Sequence, residues 1–153
     1  MDIEFENDMQ KFLHAHIEDA KNHFFKYKGY PLRAFIYKGY EFTPYKIDSD
    51  NIEKEMKDIQ SRACTVNATA VAITGVFNLL LAEGDTYDKA VARLKQNDGD
   101  KLVALAVIMK LMDGKTFSIM HEVKEENGET RLGEAVYVEN PQFFQIPIKP
   151  WGN

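Results

Sequence analysis

Apolar and polar positions are most sharply ordered over residues 102–123, which read LVALAVIMKLM, Asp113-Gly114, KTFSIMHEV. The first arm is apolar at every position but Lys110, the pattern of a strand covered on both faces. The second alternates, with Phe117, Ile119, His121 and Val123 on one side and Thr116, Ser118, Met120 and Glu122 on the other. An Asp-Gly pair supplies the positive φ angles of a tight type I′ turn, so the two arms form a hairpin.

The rest of the chain arranges itself around that hairpin. Over residues 3–27 the apolar positions recur at three- and four-residue steps, predicting an N-terminal helix that ends at Gly29 and Pro31. Residues 32–47 read as two strands, or one strand with a bend, and Pro44 places the later part at an edge or outside the ladder. Asp50 with Glu53 resembles a capping box, and Ile52, Met56, Ile59 and Ala63 then mark a second helix to about Ala63. Residues 65–77 fit a buried strand better than a helix because they are rich in β-branched side chains, with Gly75 as a candidate bulge. A short helix over residues 86–96 and a third strand over residues 131–139 follow. Residues 140–153, with three prolines and Phe143, Phe144 and Trp151, suggest an extended arm docked on the same domain or on a partner subunit. The expected fold class is α+β: one domain over residues 1–139, with an antiparallel sheet centred on the 102–123 hairpin and packed by the two longer helices, and residues 140–153 as the arm.

At 153 residues, 44% of them hydrophobic and 28% charged, the chain is composed like an ordinary globular domain. A single cysteine, Cys64, excludes an internal disulfide and cysteine-rich zinc sites, and suits a reducing compartment. The acidic opening MDIEFEND is unlike a signal peptide, and no apolar run is long enough for a membrane span, so a cytoplasmic location is expected. A net charge of −5 argues against a general nucleic-acid binder and is too small for a mimic of DNA.

Local composition departs from this average in one place. Residues 24–46 hold nine of the eighteen aromatic residues and five positive charges against Glu41, a net of +4 that leaves −9 for the remainder. Such a patch acts independently beyond a screening length of about 8 Å. Tyr27, Lys28, Tyr30, Arg33, Tyr37, Lys38, Tyr40, Tyr45 and Lys46 are therefore the candidate ligand-binding residues, with rings to stack on bases and cations to meet phosphates. The bland reading of the same alternation is a half-exposed strand whose tyrosines pack with only their hydroxyls wet.

Other combinations carry less. His16, Asp19 and His23 share a helical face but also lie on its apolar stripe, where packed imidazoles are the rule. His121 and Glu122 point to opposite sheet faces, Cys64 near Arg62 reads as a small buried thiol, and Asp98-Gly99-Asp100 lacks the other ligands of a calcium loop. Phosphate-binding, nucleophile-elbow, zinc-protease and dinucleotide motifs are absent from the sequence. No segment carries a family signature, although the short acidic chain is similar in type to many bacterial and phage accessory proteins. The expectation is a non-catalytic protein-interaction or self-associating module without cofactor or metal, with Phe143, Phe144 and Trp151 as interface residues. The alternative is recognition of a nucleotide or single-stranded nucleic acid through residues 26–46.

Overall fold

The computed structural model describes residues 3–27, 29, 31–80 and 101–139. In chain order they form α1 (Ile3–Tyr27), β1 (Arg33–Lys38), β2 (Glu41–Lys46), a 3-10 turn (Ser49–Asn51), α2 (Ile52–Val66), β3 (Ala70–Leu80), β4 (Lys101–Leu111), β5 (Thr116–Glu126) and β6 (Glu129–Glu139). The six strands make one sheet in the order β2-β1-β3-β4-β5-β6, with each neighbouring pair antiparallel. This is the α+β class read from the sequence. No helix among the described residues is long and apolar enough to cross a membrane. The expected 86–96 helix and the 140–153 arm, with Phe143, Phe144 and Trp151, lie outside the described residues.

Strand periodicity divides the interior into two cores. On one face α1 lays down Met9, Leu13, Ile17, Ala20 and Phe24 against Phe35, Tyr37, Leu105, Val107, Met109, Phe117 and Ile119. On the other, Met56, Ile59 and Ala63 of α2 join a core that includes Ala34, Ile36, Val71, Ile73, Ala106, Ile108 and Met120. Successive residues of β4 enter opposite cores, so its unbroken apolar run is the direct record of a strand buried on both sides.

Several local expectations change. The β4–β5 connection is not a type I′ turn. Gly114 has φ 97°, while Asp113 is not among the positive-φ residues. Gly114 N–H donates to Leu111 O at 2.9 Å, and Leu111 N–H to Lys115 O at 2.8 Å. That is a three-residue loop whose glycine takes the left-handed position, and Asp113 steadies it by accepting from Lys115 N–H at 3.0 Å. The two-residue turn with both φ angles positive is Asn127-Gly128, at 53° and 78°, joining β5 to β6.

Helix α2 begins at Ile52, where its apolar stripe starts, and ends later than that stripe suggests. Asp48, not Asp50, is the capping residue, and it caps the 3-10 turn that leads into α2: its carboxylate accepts from Asp50 N–H at 3.0 Å, and its own N–H donates to Glu55 at 3.0 Å. Thr65 and Val66 are helical, and Asn67 ends the helix in the left-handed conformation with φ 51°. Asparagine tolerates that conformation, and Ala68 N–H closes the turn onto Ala63 O at 2.8 Å. The strand expected from residue 65 therefore starts at Ala70.

Gly75 is not a bulge, because the β3–β4 register runs unbroken from Ala70↔Leu111 to Leu80↔Lys101. A Cβ there would lie 2.8 Å from Cδ1 of Leu32, so glycine gives Leu32 room on the α2 side of the sheet. The bulge falls in β6 instead, where Gly133 and Glu134 together oppose Glu122 as the register shifts between His121 and Val123. At the far margin, β2 carries Pro44, as its sequence requires of an edge strand.

Leu105 is fully buried in the α1 core. Leu105→Ala is expected to lower stability by about 2–5 kcal/mol, read from the midpoint and slope of urea unfolding.

Candidate functional site: the aromatic face of the β1–β2 hairpin

The first two strands are joined by a two-residue turn, Gly39-Tyr40, with Lys38 opposite Glu41. Gly39 takes φ 63° at the first turn position, where glycine avoids the cost that a Cβ would bring. This tight turn fixes the register so that Phe35, Tyr37 and Phe42 share the α1 side, while Ile36, Lys38, Thr43 and Tyr45 share the α2 side. One segment thus becomes two chemically distinct surfaces.

On the α1 side the rings form a graded stack. Phe35, Tyr37 and His16 are its buried base, with Tyr37 completely shielded. The His16 ring lies 4.3 Å from Phe35, and Phe12 stacks on Tyr37 at 5.5 Å. Phe42 contacts Phe35 at 5.3 Å, Tyr37 at 5.4 Å and His16 at 5.6 Å. Above this base sit Phe42, still 49% exposed, and Tyr40, 52% exposed and 6.3 Å from Phe12. The crown is exposed, but its foundation is buried as part of the α1 core.

The base holds a buried polar pair. The Tyr37 hydroxyl and His16 Nε2 are hydrogen-bonded; in the neutral tautomer with its proton on Nδ1, the imidazole accepts from the phenol. Burial pushes the His16 pKa down to about 4, against an upward pull from the Asp19 carboxylate. Burial also pushes the Tyr37 phenol up to about 12. Both groups therefore stay uncharged at neutral pH, and the pair fixes α1 against β1.

The nine candidate residues do not form one surface. Tyr37 belongs to the core and cannot meet a ligand without unfolding the site, which corrects its assignment as a contact. Tyr40 belongs to the exposed crown. Tyr27 is exposed at the end of α1, with Lys26 5.3 Å from its ring and His23 4.6 Å from it. Arg33 and Lys46 pair at the far end of the hairpin. Lys38 and Tyr45 face α2: Lys38 Nζ donates to Val66 O, and the Tyr45 hydroxyl donates to Glu55 at 3.3 Å. Lys28 and Tyr30 lie outside the described residues.

Sequence reasoning passed over Phe12 and Phe42 as parts of this site, and read His16 only as a packed imidazole on the stripe of α1. The signal for Phe42 was its phase: counted across a two-residue turn, it falls on the side of Phe35 and Tyr37.

The remaining imidazoles have structural partners. His23 Nδ1–H donates to Gly29 O at 3.3 Å, and His121 Nδ1–H to Gly133 O at 2.8 Å, within the bulge. His14 stacks on Tyr137 at 6.4 Å. Among the described residues no three His, Cys, Asp or Glu side chains are grouped to hold a metal ion. Cys64, expected to be buried, is exposed on α2 with the Gln60 amide 3.6 Å from its sulfur. No protein-family model, curated protein or solved structure matches this chain.

His16 makes stability depend on pH. As pH falls from 6.5 towards 4, the unfolded chain binds a proton at His16 that the folded chain refuses, so the folded state weakens. The loss is complete below the folded pKa and amounts to about 3 kcal/mol. Urea unfolding across this window should show the fall, and NMR titration of the His16 ring should give a midpoint near 4.

Proposed function

We propose that this chain is a cytoplasmic, non-catalytic interaction module that associates with a second copy of itself through the aromatic face of the β1–β2 hairpin. The observation that carries the reading is the exposed crown of Tyr40 and Phe42 standing on a buried base. Exposed apolar clusters of this kind mark interaction sites, and aromatic anchors held rigidly lose little entropy on binding. Rings also complement rings: across a two-fold axis, Tyr40 and Phe42 of one copy can meet the same residues of the other without placing like charges together. Aromatic pairs contribute about 0.5–1.5 kcal/mol beyond the area they bury.

A non-catalytic role draws support from the imidazoles, since His16, His23 and His121 are each engaged in a structural hydrogen bond. The single exposed thiol, Cys64, suits a reducing cytoplasm.

The patch is small beside a standard interface of about 1,600 Å², so the dimer should be a micromolar one. Sedimentation velocity of the full chain across micromolar concentrations should show a reversible monomer–dimer equilibrium. Tyr40→Ser with Phe42→Ser should shift it to monomer, with the circular dichroism unchanged. A wild-type protein that stays monomeric, or a double variant that dimerises equally well, overturns the reading.

A further inference from the structure

The other side of the same hairpin faces a groove of about 540 Å³, closed by the last turns of α2. Its wall includes Ile36, Lys38, Glu41, Thr43, Ser61 and Arg62. Two features distinguish it from an ordinary surface furrow. Both cations are braced from behind: Lys38 Nζ donates to Val66 O at the end of α2, and the Arg62 guanidinium lies 4.8 Å from the Tyr45 ring. Among the described residues, moreover, neither Lys38 nor Arg62 forms an ion pair, although Glu41 shares the wall.

We propose that this groove binds a small organic monocarboxylate, with the carboxylate against Lys38 and Arg62 and its apolar body over Ile36. The bracing contacts leave donors to spare. Lys38 has used one of three N–H groups, and ring contact with Tyr45 leaves the edge of the Arg62 fork available to a planar carboxylate. Charge selects between anions. Lys38 and Arg62 against Glu41 give the wall a formal +1, which one carboxylate neutralises. A phosphate monoester, near −2 at neutral pH, would leave surplus negative charge beside Glu41 and the carbonyl end of α2. Ile36 is almost completely buried and offers an apolar floor, and the volume falls within the usual range for small-molecule pockets.

The test is a titration of the full ¹⁵N-labelled chain with hexanoate, its uncharged isostere hexanamide, and inorganic phosphate. Hexanoate is expected to give saturable shifts over residues 36–43 and 61–66, hexanamide none that saturate, and phosphate weaker ones than hexanoate. Arg62→Ala should weaken hexanoate binding about ten-fold or more, because a charge-assisted pair is lost. Arg62→Lys, which keeps the charge and loses the fork, should fall between, and Glu41→Gln should bind more tightly than wild type. Both substituted side chains, Arg62 and Glu41, are exposed, so circular dichroism of all three variants should match wild type. No saturable hexanoate shifts, an unchanged affinity in Arg62→Ala, or tighter binding of phosphate than of hexanoate overturns the proposal. Phe42 borders this groove as well as the aromatic crown, and the Arg62 and Glu41 variants leave it in place, so failure here is distinguishable from failure of association through the opposite face.

Discussion

Everything in this molecule depends on a sheet that must be dry on both sides. Neither face of β4 reaches water along most of its length: residues 104–109 are buried one after another, their side chains passing alternately into the α1 core and the α2 core. Burying apolar surface contributes about 25 cal/mol for each Å² removed from water, so a strand used twice adds more per residue than one with a wet face. Within residues 102–111 the single charge shows the cost of breaking the pattern. Lys110 lies near the end of β4, half-buried, and desolvation pushes its ammonium pKa down. It is tolerated where the strand approaches its turn.

The same two-sidedness divides the labour of the β1–β2 hairpin. Beside the central strands a residue of either parity meets a core. Towards the margin the cores thin out, and alternate residues begin to emerge with different chemistry. Phe35 and Tyr37 are buried, whereas Phe42, their neighbour across the ladder, is only half covered. On the reverse side Ile36 is buried, and Lys38 and Thr43 border the groove. The aromatic crown and the cationic groove are therefore not separate insertions. They are the two places where one alternating pattern emerges from the cover of the helices packed on it.

How much of this the sequence disclosed follows from the range of the forces involved. Strand periodicity and helical stripes are local signals, and they located α1, α2, β4, β5 and the edge position of β2 closely. Choices that depend on contacts distant in sequence were hidden. Gly75 looked like a bulge because its reason is Leu32, a residue brought beside it only by strand pairing. Tyr37 looked like a ligand contact because a tyrosine in an exposed-looking alternation gives no hint that His16 waits across the interface to take its hydroxyl. Arg62 was noticed only as a neighbour of Cys64, and nothing local tied it to Tyr45 or Lys38. The turn after β4 was misread for a subtler reason. Asp-Gly suits both the two-residue turn and the longer loop, and the choice belongs to the register of the whole ladder.

Pro44 in β2 and the bulge in β6 have a consequence for how copies of this chain can meet. A strand at the margin of a sheet is a template for unlimited lateral growth. Pro44 lacks the amide hydrogen that a seventh strand would require. At the other margin Gly133 and Glu134 interrupt the even spacing of hydrogen-bonding groups, and Glu134 and Glu139 add like charges. Contacts made through a face close on themselves once two copies have joined. The fold thus permits pairing while discouraging the endless stacking that leads to fibres.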